Sequence, residues 1–398
     1  MREVPAKGME VPIDTQTTLS MLEENPEEVY RRLRREMPIA RLKAIGRIVF
    51  TKAEDTYRVK TDLEHFGSFD TTTPMQRAFG GHTLMRKDGC EHLRERQAME
   101  SAFKPSLLYQ HWKPKFERLT DRLIEKLATR ETADLLHDLA APLSAGYLKL
   151  LLGIEGVTDE QLFDWASALI RGAMNAAFDP AIFESSDQAN EEMNECFDQM
   201  IELHLKSPDC SVLSSMANQS DPIALSQIRT NMKICIGGAV IETRDALLST
   251  LCGLLSHPDQ LWYCRDQKAW DRACEEGLRW VAPIQASPRI VKKALIMRGV
   301  IIPEGETVMA IQASANHDED VWDQPHQFNV HREPRVNQTF GNGPHKCLGG
   351  DMYRLLISEV TLPKLFDRFP VLSLNNRIAV NFRGFAFRGP TSLPVIFK

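Results

Sequence analysis

The chain of 398 residues has no uninterrupted apolar run approaching the roughly 18 residues that a membrane-spanning helix needs. Its opening, Met1-Arg-Glu-Val-Pro-Ala-Lys7, lacks the apolar stretch of a secretory signal. Together these absences predict a cytoplasmic, unanchored protein with no membrane partner. Basic excess is also missing: 48 Lys and Arg stand against 54 Asp and Glu, interspersed to a net charge of -6, which argues against a nucleic-acid footprint. No repeat or low-complexity tract occurs, which excludes solenoids and propellers. The eight cysteines, at 90, 196, 210, 235, 252, 264, 274 and 347, form no CxxC pair and no zinc spacing. That scatter predicts reduced thiols, most of them in the core.

One cysteine has a setting that packing does not explain. In Thr339-Phe-Gly-Asn-Gly-Pro-His-Lys-Cys-Leu-Gly-Gly-Asp351, two glycines, Gly341 and Gly343, approach Cys347, and an amphipathic helical pattern follows from Met352 to Phe366. Cys347 therefore sits just before a helix N-terminus, where unpaired N–H groups and the macrodipole favour a thiolate. A thiolate on a glycine-rich loop is a nucleophile or a metal ligand; the plain alternative is a structural cysteine in a turn.

Four neighbours weigh against the plain alternative: Phe340, the Gly-x-Gly approach, His345 and Gly349. The resulting pattern, Phe-x-x-Gly-x-His-x-Cys-x-Gly, resembles the haem-binding loop of the cytochrome P-450 family. The resemblance implies a mainly α fold with a smaller β-rich region, a single haem domain over residues 1–398, and haem b between a long distal helix and the Cys347 loop. Cys347 is then the iron ligand, with Phe340, Gly341, Gly238 and Ala239 around the macrocycle.

The rest of the chain is consistent with this expectation. After an irregular arm to about residue 20, helices are expected at 26–36 and 53–58, with a hairpin between them over 39–51 that turns at Gly46. Residues 66–87, rich in Gly, Thr and Pro, read as a long loop. Helical periodicity follows from Gly89 to Phe103, then over 107–128, 134–152, 158–172 and 182–207, with a polar break from Ser207 to Pro222. A long helix spans Ala224–Ser256, interrupted at Gly237-Gly238, where two glycines cost about 1 kcal/mol each relative to alanine and so imply close approach or local unwinding. A further helix covers 268–280, and segments 289–311 and 376–397 read as β-like.

Three pairings take meaning from the resemblance. His92 and Arg96 share a helix face and match the family's His-x-x-x-Arg, which implies propionate binding, as do Arg289 and His345. Glu276 and Arg279 match Glu-x-x-Arg, a structural lock completed by a residue from the meander before the Cys loop, here Arg332 or His331. On the long helix, the family's acid–alcohol pair is replaced by Ile241-Glu242, followed by Thr243. An isoleucine relays no proton, so Glu242 with Thr243, or with ordered water, is expected to do so; pairing of Glu242 with Arg244 or another base is the structural alternative.

Glutamate in this place resembles a dealkylating group that includes the guaiacol O-demethylase, thiocarbamate-degrading and self-sufficient enzymes. Glu276-Gly-Leu-Arg-Trp280, Ser314-Ala-Asn-His-Asp318 and Phe387-Arg-Gly-Pro-Thr-Ser-Leu393 are similar to the first of these, and Met75-Gln-Arg-Ala-Phe-Gly-Gly-His82 to the last. The implied activity is an O2-dependent monooxygenase performing O-dealkylation of an aryl or alkyl ether in aromatic catabolism. Phe79, Ala173, Val240, Ile284, Gln285 and Phe387 would line its small-molecule substrate site. Two electrons would come from a separate ferredoxin or reductase docking near Lys346, Arg335 and Lys104. The alternatives are a peroxide-driven peroxygenase, for which Arg244 would be the basic residue, and a non-catalytic haem-thiolate sensor.

Overall fold

The computed structural model describes residues 8–70 and 73–397. The first part of the expected arm, and positions 71 and 72 of the expected 66–87 loop, lie outside the described residues. The chain divides into two compact units. One holds the described residues up to Phe69 with Glu275–Cys347 and Asn381–Thr391; the other holds Asp70–Cys274, Leu348–Val380 and the segment from Ser392 onward.

The first unit is organised on a six-stranded sheet in the order Ile13–Asp14, Ile39–Leu42, Arg47–Phe50, Thr307–Ala310, Ser287–Val291, Phe66–Gly67. The expected hairpin is present, with Ile39 opposite Phe50 and Gly46 at φ 65° in the turn. Arg47–Phe50 then pairs in parallel with Thr307–Ala310. Strand alternation sends Ile48 and Phe50 into one cluster with Val59, Phe66 and Val308, and Val49 into another with Leu22, Val29, Leu33 and Ile311. Both faces are thereby covered. The Pro26–Glu36 helix starts on proline, with Glu27 and Glu28 in its first turn and Arg34 and Arg35 in its last, matching the macrodipole at each end. Its Val29 and Leu33, one turn apart, supply the buried face.

The arm is not wholly irregular. Ile13–Asp14 pairs with Arg41–Leu42, and the Asp14 carboxylate accepts from Arg32, 2.9 Å, and from Thr17. Thr18 then caps the helix Leu19–Glu24. Hydrogen bonds of this kind, some to residues far along the chain, carry no hydrophobic period, which is why the segment reads as loop.

The second unit is helical, with segments at 105–127, 136–152, Asp159–Ala173, Pro180–Lys206 and 350–368 around the chain from Leu225 to Ser256. That chain forms two helices, Leu225–Gly237 and Val240–Ser256, rather than one. Val240–Ser256 buries residues on every side, the mark of a core helix. A three-stranded sheet of Ser373–Leu374, Pro394–Ile396 and Thr132–Asp134 completes the unit.

Three further helical segments depart from expectation. The 66–87 stretch contains the helix Met75–Ala78 and the turn Leu84–Arg86. The polar break holds Val212–Ala217, started by the Ser211 side chain accepting from Ser214 N–H. Pro258–Asp266 forms a helix begun by proline that the periodicity alone does not separate from its neighbours. Of the eight cysteines only Cys252, Cys264 and Cys274 are fully buried, fewer than expected, and Cys347 is exposed. No helix among the described residues is long and apolar enough to cross a membrane.

Candidate active site

In the first unit, the Cys347 loop is shaped by two left-handed glycines, Gly341 at φ 69° and Gly343 at φ 70°. The backbone doubles back so that Cys347 N–H donates to Phe340 O, 2.8 Å, and Lys346 N–H to Gly343 O, 3.0 Å. Gly343 is required twice over, since a Cβ there would lie 2.7 Å from the carbonyl oxygen of Lys60. The loop leaves the Cys347 side chain exposed, and the helical segment begins at Gly350. Phe340 is half-buried.

Cationic and polar groups gather beside this loop. His345 Nε2 meets Ser68 Oγ at 3.0 Å. Arg289, on Ser287–Val291, donates to the Pro288 carbonyl, 2.7 Å, and its charge reaches Lys60. Lys60 itself is 2% exposed, with Nζ 3.4 Å from Gln338 Oε1. Burial, reinforced by Arg289, pushes the Lys60 ammonium down to about 7. Sequence reasoning missed Lys60, because the helix expected over 53–58 runs Ala53–Thr61 and a lysine in so short a helix carries no sign of which way it faces.

The lock is assembled in the same unit. Arg279 binds Glu276 through two bonds of 2.7 and 2.8 Å, and its remaining donors reach the carbonyls of Asn316, Pro325 and Gln327. Of the two expected third members, Arg332 fills the place, 3.1 Å from Glu276 Oε1. His331 is exposed, its backbone N–H turned to Asn329 Oδ1. Ile284 and Phe387 face each other in an isolated antiparallel bridge, both half-buried. Gln285 is 2% exposed and turns its amide to Ala282 O, lining a cavity of about 170 Å³ with Tyr30, His317 and Arg388.

In the second unit, the interruption of the long helix is the central feature. The first helix closes with Gly238 N–H on Ile234 O, 2.9 Å, and the second begins with Thr243 N–H on Ala239 O, 3.0 Å. Ala239, at φ -140° and ψ -34°, is the non-helical residue between them. Ser144 Oγ donates to the Val240 carbonyl, anchoring the new start. Gly238 is exposed, and a Cβ there would meet only its own Ile234 carbonyl.

Glu242 lies in the first turn of the second helix, 7% exposed, and neither carboxylate oxygen has a hydrogen-bond partner. Burial pushes its pKa up to about 8. The alternative of a Glu242–Arg244 pair does not form: Arg244 donates to Asp245, 2.7 Å, and lies over the Phe163 ring. Thr243 is likewise buried.

Phe79 is buried with its ring against Gly237, where a Cβ would lie 3.0 Å away. Val240 is fully buried, and Ala173 is half-buried at the end of Asp159–Ala173. His92 and Arg96 stand one turn apart on Gly89–Glu100, His92 buried and Arg96 bonded to Glu100 at 3.2 Å.

These donors fit a haem better than a bare ion. The Cys347 thiol is exposed, with the buried Lys60 and the half-buried Arg289 in the same unit, and no cluster of three His, Cys, Asp or Glu side chains suited to a metal ion occurs among the described residues. Comparison with known proteins decides the family. Residues 268–382 match the family described as Cytochrome P-450. The 6-deoxyerythronolide B hydroxylase of Saccharopolyspora erythraea is 30% identical over 291 residues, covering 71% of this chain and 70% of that protein. The chain belongs to the cytochrome P-450 family. A putative cytochrome P-450, YjiB of Bacillus subtilis, is 29% identical over 336 residues, 80% of each chain. The solved structure of P450BioI, in complex with an acyl carrier protein ligated to hexadec-9Z-enoic acid, shares the fold with a TM-score of 0.85 at 23% identity, covering 95% of this chain and 99% of that one. This cytochrome P-450 is accordingly a monooxygenase, an oxidoreductase whose cofactor is haem b held through a cysteine thiolate.

Proposed function

We propose that this cytochrome P-450 performs oxidative O-dealkylation of a small aryl or alkyl ether, with O2 and two electrons from a separate redox partner. The observation that carries the O2-dependent reading is Glu242, a buried acid with no bonding partner at the helix break. Reduction of O2 to water and one inserted oxygen atom consumes two protons, whereas peroxide already carries them. A carboxyl that keeps its proton near neutral pH can supply one and be recharged through water or the Thr243 hydroxyl. Support for an ether substrate is the resemblance of 276–280, 314–318 and 387–393 to the demethylating group.

Bound haem supplies the activation of O2 that no side chain here provides. Cys347 would hold the haem through its thiolate, and Phe340, Gly341, Gly238 and Ala239 would border it. His92, Arg96, Arg289 and His345, joined by Lys60, would supply donors and positive charge for its propionates. Glu276 and Arg279, with Arg332, hold the backbone that leads to the Cys347 loop. Phe79, Ala173, Val240, Ile284, Gln285 and Phe387 orient the substrate, and the chain 1–398 works as one haem domain. Hydroxylation of the carbon beside the ether oxygen gives a hemiacetal that collapses to an aldehyde and the free alcohol. For a methyl ether the balance is ROCH3 + O2 + 2 e⁻ + 2 H⁺ giving ROH, formaldehyde and water.

The test is turnover of a panel of aryl methyl ethers by the haem-loaded protein, once with a ferredoxin and reductase and once with hydrogen peroxide. Formaldehyde released in step with the phenol in the first arm is the expected result. Equal rates in the peroxide arm would favour the peroxygenase, and oxidation confined to non-ether substrates would overturn the dealkylation. Absence of turnover in both arms would favour a sensor.

A further inference from the structure

Within the second unit, the segment Phe79–Gly81 runs closely along one face of Leu225–Gly237. A Cβ at Gly81 would lie 2.6 Å from Thr230 Oγ1, one at Gly80 would lie 3.4 Å from Lys233 Nζ, and one at Gly237 would lie 3.0 Å from Phe79 Cζ. Thr230, Lys233 and Gly237 are spaced to share that face. Asn190, on Pro180–Lys206, closes the spot: its Oδ1 would be 3.3 Å from the same Gly80 Cβ.

Lys233 is 2% exposed, and no carboxylate among the described residues lies within ion-pair distance of its ammonium or acts on it. Asn190 donates its amide to Ala78 O, 2.8 Å, which leaves Oδ1 buried without a partner. The same unit pairs its other buried lysine fully: Lys87 is held by Glu95, Glu91 and Gln227. Burying an ammonium with no anion is costly, and a structural lysine recovers the cost from a carboxylate. Lys233 has none from the protein. The charge that acts on it is the cation Arg229, itself committed to Asp198. Burial, with Arg229, lowers Lys233 to about 8, so it is mostly protonated at neutral pH.

We propose that Lys233 binds the carboxylate of the substrate, so that this enzyme oxidises organic acids at a carbon remote from the anionic end. This rests on the reading of Phe79, Val240 and Glu242 as parts of the substrate chamber. Val240 lies beyond Lys233 on the far side of the break at Gly238–Ala239, which separates the carboxylate from the reacting carbon. Asn190 Oδ1 adds an acceptor for a hydroxyl or water beside the anion. The implied class is an ether carried on an aromatic acid, and Lys233 is a specificity-determining residue.

Calorimetric titration of the haem-loaded enzyme with para-methoxybenzoate, para-methoxyphenylpropionate, the primary amides of both and decanoate tests this. The acids are expected to bind about 10- to 100-fold more tightly than their amides. Lys233→Met should shrink that gap to about threefold or less, and Lys233→Arg should keep most of it. Equal affinity of acids and amides, no binding of any acid, or an undiminished gap in Lys233→Met would overturn the proposal. Should Lys233→Met fail to fold, the wild-type and Lys233→Arg comparisons still decide. Amides bound and demethylated as well as the acids would sink the anion site and leave the ether reading standing. Decanoate bound tightly while neither methoxy acid binds would do the reverse.

Discussion

Replacing Glu242 by glutamine separates a buried proton carrier from an ordinary surface carboxylate by stability alone. The carboxyl ionises at about 8 in the folded chain against 4.5 for a free glutamate side chain, with burial as the main cause. Between those two values the folded chain keeps a proton that the unfolded chain releases. Stability is therefore fully present below about pH 4.5, falls as pH rises, and levels off above about pH 8. Between 4.5 and about 8, at 1.36 kcal/mol per pH unit, the loss amounts to about 5 kcal/mol over the whole window. A glutamine does not titrate. Urea denaturation of both haem-loaded proteins from pH 5 to pH 8 should show the wild type losing about 3.5 kcal/mol more than Glu242→Gln. Parallel curves, within about 1 kcal/mol, would mean that Glu242 ionises as an exposed acid and would refute the argument. In turnover, Glu242→Gln should slow product formation by roughly 100-fold or more and divert O2 to hydrogen peroxide.

Four other substitutions probe the thiolate loop and its support. Cys347→Ser should abolish the carbon-monoxide absorption band characteristic of thiolate-ligated haem; survival of that band would exclude Cys347 as the ligand. Gly343→Ala should cost more than Gly341→Ala in thermal melting. Both force a side chain into a left-handed conformation at about 1–2 kcal/mol, but only the first drives a Cβ to 2.7 Å from the Lys60 carbonyl, while the other has nothing nearer than His345 O at 3.8 Å. Arg279→Lys removes the two-bond contact to a buried Glu276 and strands backbone carbonyls, so a loss of about 3–5 kcal/mol in urea denaturation and a drop in haem content are expected.

Elements with a strong local signal were legible in the residues. The hairpin at Gly46, the proline-started helix at Pro26 and the glycine approach to Cys347 all depend on neighbours in sequence, and each appears where expected. The pairing of Arg279 with Glu276 is likewise local, at three residues. What escaped was set by distant packing. Lys233 lies in Asn231-Met-Lys-Ile234, where a lysine ordinarily reads as a solvated face; its burial depends on how closely Gly80 and Gly81 approach. Arg332 rather than His331 meets Glu276 because the meander turns one side chain inward, which spacing does not encode. The helix Met75–Ala78 is too short for any period to emerge.

The break at Gly238–Ala239 also bears on how this enzyme can be altered. In an uninterrupted helix, adding or removing one residue rotates everything beyond it by about 100°, so reshaping the binding wall would swing Glu242 out of alignment. Here the second helix has its own start, fixed by Ser144 on the Val240 carbonyl. Leu225–Gly237 can therefore be re-cut for new substrates, in length as well as in side chains, with the angular phase of Glu242 set independently.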